Sequence, residues 1–144
     1  VGAPRIITEC SPLNSIPLLH IHGASDTLVP ISGTPSAASV PKIVALKDSF
    51  PSVVDAVGLV RNANACNSKA EISYDIAGSV CRTYPGCRDN ADVGYCIVAD
   101  NGHTWPSGAY PADGPIYKAI VGELSNKFDT NKVIWDFFSK FSRE

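Results

Sequence analysis

Apolar and polar positions change their period several times along this chain, and each change marks an element. Residues 16–22 (Ile16-Pro17-Leu18-Leu19-His20-Ile21-His22) have few polar interruptions and stop at Gly23. Leu19 and Ile21 share one face; Leu18, His20 and His22 share the other. That pattern suits a strand covered on both sides, as in a parallel sheet. A loop over 24–35 follows, with Asp26 near its start. Val53, Val54, Val57 and Val60 then recur at helical spacing. They predict a helix over 51–62, with Ser49 or Ser52 as its cap and Pro51 in its first turn. Residues 71–76 alternate polar and apolar, as a half-exposed strand does. Residues 80–84 and 93–99 read as a strand pair around the turn-rich stretch 85–92. Residues 107–130 are rich in Gly, Pro, Ser and Asp, with a short helix at 116–124. A last helix is expected over 131–142, with Val133, Ile134, Phe137, Phe138 and Phe141 on one apolar face and Asp129 or Thr130 as cap. The order implies an α/β domain: two parallel strands (16–22 and 93–99), an antiparallel excursion and at least two covering helices.

The composition allows one packed domain, with 144 residues, 44% hydrophobic and 18% charged. Lys plus Arg number 12 against 14 Asp plus Glu, without a basic stripe, which argues against a nucleic-acid partner. The apolar runs are too short to span a bilayer, so no membrane partner is expected. The chain opens Val1-Gly2-Ala3-Pro4, without Met or an apolar leader, and reads as a mature product or a fragment. The cysteines are Cys10, Cys66, Cys81, Cys87 and Cys96; none forms a CxxC pair and none has a His at zinc-finger spacing. Four of them cluster, which points to disulfides and an oxidising, extracellular setting. Cys81 and Cys96 are equidistant from the middle of the 85–92 turn, which places them opposite each other across two antiparallel strands.

Three constellations bear on chemistry. His20-x-His22 puts two imidazoles on one strand face, a spacing metal sites use, but no matching third ligand is evident. They read as packed or hydrogen-bonded strand residues, and no metal or cofactor is expected. Asp26 and His103 each lie in a loop at a strand's carboxyl end, where open α/β sheets place their working groups. An Asp followed later by a His is also the chain order of the second and third triad members in α/β-hydrolases.

The letters around these two residues are distinctive. His22-Gly23-Ala24-Ser25-Asp26-Thr27-Leu28-Val29-Pro30 resembles the HGxxDxxVP loop that carries the catalytic acid in secreted esterases of the polyhydroxybutyrate depolymerase and feruloyl esterase group. Gly102-His103-Thr104-Trp105-Pro106 resembles the GHxWP loop that carries their catalytic histidine. Residues 62–66 and 83–87 look like that group's NxC and TYxGC segments, and Ile134-Trp135-Asp136-Phe137-Phe138 looks like its closing helix. The resemblance runs in order from about residue 16 to 142. It implies Asp26 and His103 as acid and base, and Trp105 either as a wall of the acyl or aromatic pocket or as an anchor packing its loop. It gives Gly102 a sharp turn beside the histidine. It also implies a Cys66–Cys87 bridge, leaving Cys10 to reach elsewhere. The substrates would be esters of plant polysaccharides or polyhydroxyalkanoates.

One departure is plain. No GxSxG nucleophile elbow exists in the 144 residues; the nearest string, Gly23-Ala24-Ser25-Asp26-Thr27, ends in Thr and occupies the acid loop. The oxyanion segment that precedes the elbow is missing too. Residues 1–144 therefore resemble the carboxyl-terminal part of an α/β-hydrolase domain whose other half would be its partner. The alternative is a non-catalytic binding or structural module that kept the half-fold.

Overall fold

The computed structural model describes residues 14–33, 51–110 and 114–141. Cys10 and Ser49 lie outside them. The described residues form a mixed α/β structure: β1 (Leu18–Gly23), α1 (Val53–Ala63), β2 (Glu71–Ile76), β3 (Ser79–Tyr84), a 3-10 turn at Arg88–Asn90, β4 (Val93–Val98), α2 (Pro115–Val121) and α3 (Thr130–Phe138). The sheet order is β1-β4-β3-β2. β1 and β4 run parallel, from Leu18 against Val93 to Gly23 against Val98, while β3 is antiparallel to β4 and β2 to β3. The antiparallel excursion thus belongs to the same sheet as the parallel pair. Both strands of that pair point the same way, which places the loops after β1 and β4 side by side.

Strand alternation builds two cores. Leu18, Tyr95, Ile97 and Val93 pack against Val53 and Val57 of α1. On the opposite face Leu19, Ile21, Cys96 and Val98 pack against Phe128 and Val133. Adjacent strand residues point to opposite sides, so a nearly continuous apolar strand requires a cover on each. Helix α1 starts at Ser52, whose Oγ accepts the Asp55 N–H at 3.1 Å; Pro51 precedes the cap instead of occupying the first turn. Asp129 caps α3 by accepting from Lys132 N at 2.9 Å.

Two expectations change. In α3 only Val133 and Phe137 of the apolar stripe are buried; Trp135 is 73% exposed and the helix ends at Phe138, before Phe141. A short helix touching the sheet along one line buries an i, i+4 pair and leaves the flanks of the stripe in water. Strand β2 is exposed on both faces except at Tyr74, with Ile72 and Ile76 among the exposed apolar residues. It is an edge strand, and Tyr74 alone reaches a cover, meeting Phe128 edge-on with ring centroids 5.4 Å apart. The β2–β3 turn is tight, with Ala77 and Gly78 both at positive φ (52° and 79°), as two-residue hairpins require.

Two disulfides close the frame, Cys66–Cys87 and Cys81–Cys96. They are the two pairings anticipated from the motifs and from the hairpin. The first ties the end of α1 to the β3–β4 connection. The second joins directly opposed residues of β3 and β4 inside a core, with Cys81 and Cys96 both buried. Its chain separation of 15 residues corresponds to about 3 kcal/mol of lost unfolded-state freedom. The Cys81→Ala/Cys96→Ala double variant is expected to lose about that much or more, because the sulfurs also fill a core. Urea unfolding monitored by far-UV circular dichroism measures it, and an unchanged midpoint would show that the bridge contributes nothing.

Candidate active site

The site grows out of the parallel pair. Past Gly23 the chain stays bound to the neighbouring strand: Ala24 N–H donates to Val98 O at 2.8 Å and Ser25 N–H to Asn101 O at 2.9 Å. The chain then turns so that Asp26 is only 5% exposed. A buried carboxylate requires donors, and three are present. Leu28 N–H and Val29 N–H donate to Oδ1 at 3.0 and 2.8 Å, and His103 Nδ1 lies 2.8 Å from Oδ2. Burial pushes the Asp26 carboxyl up, but the His103 imidazole, the Val29 N–H and the charges of His103 and His22 outweigh it, so the group sits below its ordinary value. It is held as a carboxylate.

His103 reaches Asp26 from the loop after β4. The backbone there is stitched to the end of α2 and the segment after it: Gly102 N–H donates to Glu123 O at 2.8 Å and His103 N–H to Val121 O at 2.6 Å. A carboxylate oxygen only accepts, so Nδ1 carries the proton and Nε2 is left with its lone pair. The side chain is 26% exposed, so it can be reached from solvent. Gly102 serves a different purpose from the sharp turn expected. A Cβ there would meet Val121 O at 2.3 Å, so the glycine permits close approach of two backbones.

His22, the second histidine of the His20-x-His22 pair and the first residue of the 22–30 motif, is buried behind Asp26. Its Nε2–H donates to Val29 O at 2.7 Å, and its Nδ1 meets His20 Nε2 at 3.2 Å, with the two rings stacked. The 3.7 Å from His22 Nε2 to Asp26 Oδ2 is a contact rather than a hydrogen bond. His22 therefore supports the residue that itself donates to Asp26. Strand alternation could have indicated a buried polar residue here, because position 22 shares its face with apolar Leu18. Among the described residues no group of three or more His, Cys, Asp or Glu side chains is placed to hold a metal ion.

Trp105 lies just past the base, 44% exposed, and its carbonyl accepts Gly108 N–H at 3.0 Å. The turn at 105–108 is thus closed by the main chain, and the Trp105 side chain is partly open to solvent. The next residue, Pro106, is buried and accepts the Thr130 hydroxyl at 2.7 Å, so Thr130 binds this loop instead of capping α3. A cavity under α3, lined by Leu19, Tyr74, Cys81, Val133 and Phe137 among others, contains no residue of the Asp26 or His103 loops.

Two of the shifted groups, His20 and Asp26, favour acid lability; Asp92, raised chiefly by burial, acts in the opposite direction. His20 is lowered from 6.5 to about 4 by burial and by the neighbouring His22 charge. Between those values the unfolded chain takes up a proton that the native chain refuses, so stability falls as pH drops from about 6.5 to about 4 and is unaffected by His20 above that window. Asp26, lowered in the native state, adds stability that is complete above its ordinary value of 3.8 and is lost as pH falls through the native one. These two contributions lower the urea midpoint as pH falls from about 6.5 toward 3. His20→Gln should flatten only the upper window and Asp26→Asn only the lower; equal slopes in all three proteins would refute the assignment.

The arrangement can orient an imidazole, hold one tautomer, and stabilise that imidazole when it accepts a second proton. No serine of a GxSxG elbow accompanies it. Compared with known protein families, curated proteins and solved structures, the chain matches none, so what the site can do rests on its own geometry.

Proposed function

We propose that the chain supplies the acid and base of a Ser-His-Asp carboxylic-ester hydrolase of the α/β-hydrolase type, working in an extracellular, oxidising setting. The observation that carries this reading is the 2.8 Å contact between His103 Nδ1 and Asp26 Oδ2, made at the carboxyl ends of two adjacent parallel strands. Two disulfides accord with the setting, and no helix among the described residues is long and apolar enough to cross a membrane.

In this reading a serine hydroxyl attacks the ester carbonyl as His103 Nε2 takes its proton. Asp26 stabilises the imidazolium through Nδ1–H. His103 then returns the proton to the leaving alkoxide, and water repeats the sequence to release the acid. The serine and the oxyanion donors come from a segment beyond these 144 residues. The substrate class is an ester of a polysaccharide or a polyester, and Trp105 offers the indole face nearest the base in sequence.

The chain alone is expected to hydrolyse no ester at an enzymatic rate. Losing one oxyanion donor typically costs on the order of 10²–10³ in turnover, and here the nucleophile is absent as well. Joined to a segment bearing the elbow, it should hydrolyse short p-nitrophenyl or methyl hydroxycinnamate esters, and a serine-directed phosphonate should label that segment. Stoichiometric labelling of a serine within this chain, with His103-dependent turnover, would show the nucleophile to be here. A joined protein that binds esters without turning them over would favour the non-catalytic module, the reading that the missing GxSxG string supports.

A further inference from the structure

Asn101 reads in the sequence as an ordinary loop residue after a strand. In the structure it is fully buried, 0% exposed, with both amide hydrogens and the amide oxygen hydrogen-bonded. Nδ2 donates to Gly102 O at 3.0 Å and to Thr104 O at 2.9 Å, the carbonyls on either side of His103. Oδ1 accepts from Ser125 N–H at 2.9 Å, with the Thr104 hydroxyl oxygen 3.3 Å away. Its backbone carbonyl accepts the N–H of Ser25, the residue before Asp26. One residue therefore binds the acid loop through its main chain and brackets the base through its side chain. The 122–125 segment, which also accepts Gly102 N–H and the Thr104 hydroxyl through Glu123 O, is held to the same point.

We propose that Asn101 is the positioning residue of the pair, setting the angle and distance at which His103 Nδ1 meets Asp26. This rests on the reading of Asp26 and His103 as a catalytic acid and base. The physical case is one of freedom removed. A loop histidine retains backbone and side-chain rotation that a single 2.8 Å contact to a carboxylate does not quench. Fixing the Gly102 carbonyl restrains the peptide plane that precedes His103, and fixing the Thr104 carbonyl restrains the plane one residue beyond it, so the loop is held on both sides of the histidine. A buried asparagine is suited to this because it is planar and offers two donors and two acceptors, and leaving any of them unpaired in a buried site is unfavourable.

The test uses the 144-residue chain and does not depend on ester turnover. In a ¹⁵N-labelled sample at neutral pH, His103 should show a strongly deshielded Nδ1 proton that disappears in Asp26→Ala. Asn101→Asp has nearly the same shape but turns both donors into acceptors. It should retain both disulfides and the sheet's amide spectrum, yet lose the His103 Nδ1 proton signal or exchange it roughly tenfold faster or more. Should that variant not fold, the native chain still decides. The Asn101 side-chain amide protons and the His103 Nδ1 proton should exchange through a common opening, with matching dependence on denaturant. A folded Asn101→Asp chain with an unchanged His103 signal, or Asn101 amide protons that exchange far faster than the His103 proton, would overturn the proposal. If the native chain shows no Asp26-dependent Nδ1 proton at all, the acid–base reading falls and this proposal with it.

Discussion

In the proposed esterase, completed by its nucleophile, Asp26→Asn is expected to lower turnover about 10⁴-fold while leaving the protein folded. The geometry says why so small a change does so much. Leu28 and Val29 N–H both donate to Oδ1, so an amide at position 26 must keep its oxygen there. Its NH₂ then occupies the Oδ2 position facing His103 Nδ1. Two donors cannot share that contact, so Nδ1 must become the acceptor and the imidazole proton moves to Nε2. A histidine protonated at Nε2 cannot take the serine proton. His103→Ala removes the base itself and should cost more, on the order of 10⁶-fold. Steady-state kcat on a p-nitrophenyl ester, with unfolding curves for both variants, checks the pair. Turnover by the Asp26→Asn enzyme within about tenfold of the parent would sink the assigned roles.

Gly23→Ala is expected to be strongly disruptive, although it adds a single methyl group. A Cβ at position 23 would stand 2.3 Å from Asn101 O and 2.4 Å from Gly102 O. Both are backbone atoms, held by Ser25 N–H and by the Asn101 amide respectively, so neither can swing aside as a flexible side chain would. The ends of β1 and β4 must part, and the Asp26 and His103 loops part with them. The expected loss is about 3 kcal/mol or more. Gly58→Ala is the control: it lies within α1 with nothing within 4 Å of the added Cβ, so it should stabilise by about 0.5–1 kcal/mol through helix propensity. Urea unfolding of the two variants beside the parent measures both effects. A Gly23→Ala chain as stable as the parent would mean that the two loops are not packed as described.

Much of the architecture can be read directly from residue order. The nearly unbroken apolar run in 16–22, with apolar positions on both faces, indicated a strand covered on both sides, and 93–99 was legible as a strand beside the turn at 85–92. Valine spacing determined α1, and the symmetric placement of Cys81 and Cys96 about the 85–92 turn determined which cysteines oppose each other. Asp26 and His103 were legible from their positions past two strands and from the letters around them. These features are local, or depend only on spacing along the chain. The covering of β2, the narrow buried line of α3, the close approach that requires Gly102, and the parts played by His22 and Asn101 were decided by tertiary structure alone. Periodicity states which residues share a face but not whether anything packs against it, and so Ile72, Ile76 and Phe138 remain in water. A polar residue in a loop or strand carries the same letter whether it is solvated or has all its hydrogen bonds satisfied inside. Asn101 became a hub only when β1 and β4 paired in parallel and brought the segments after both strands, together with the residues after α2, within hydrogen-bonding reach of one residue.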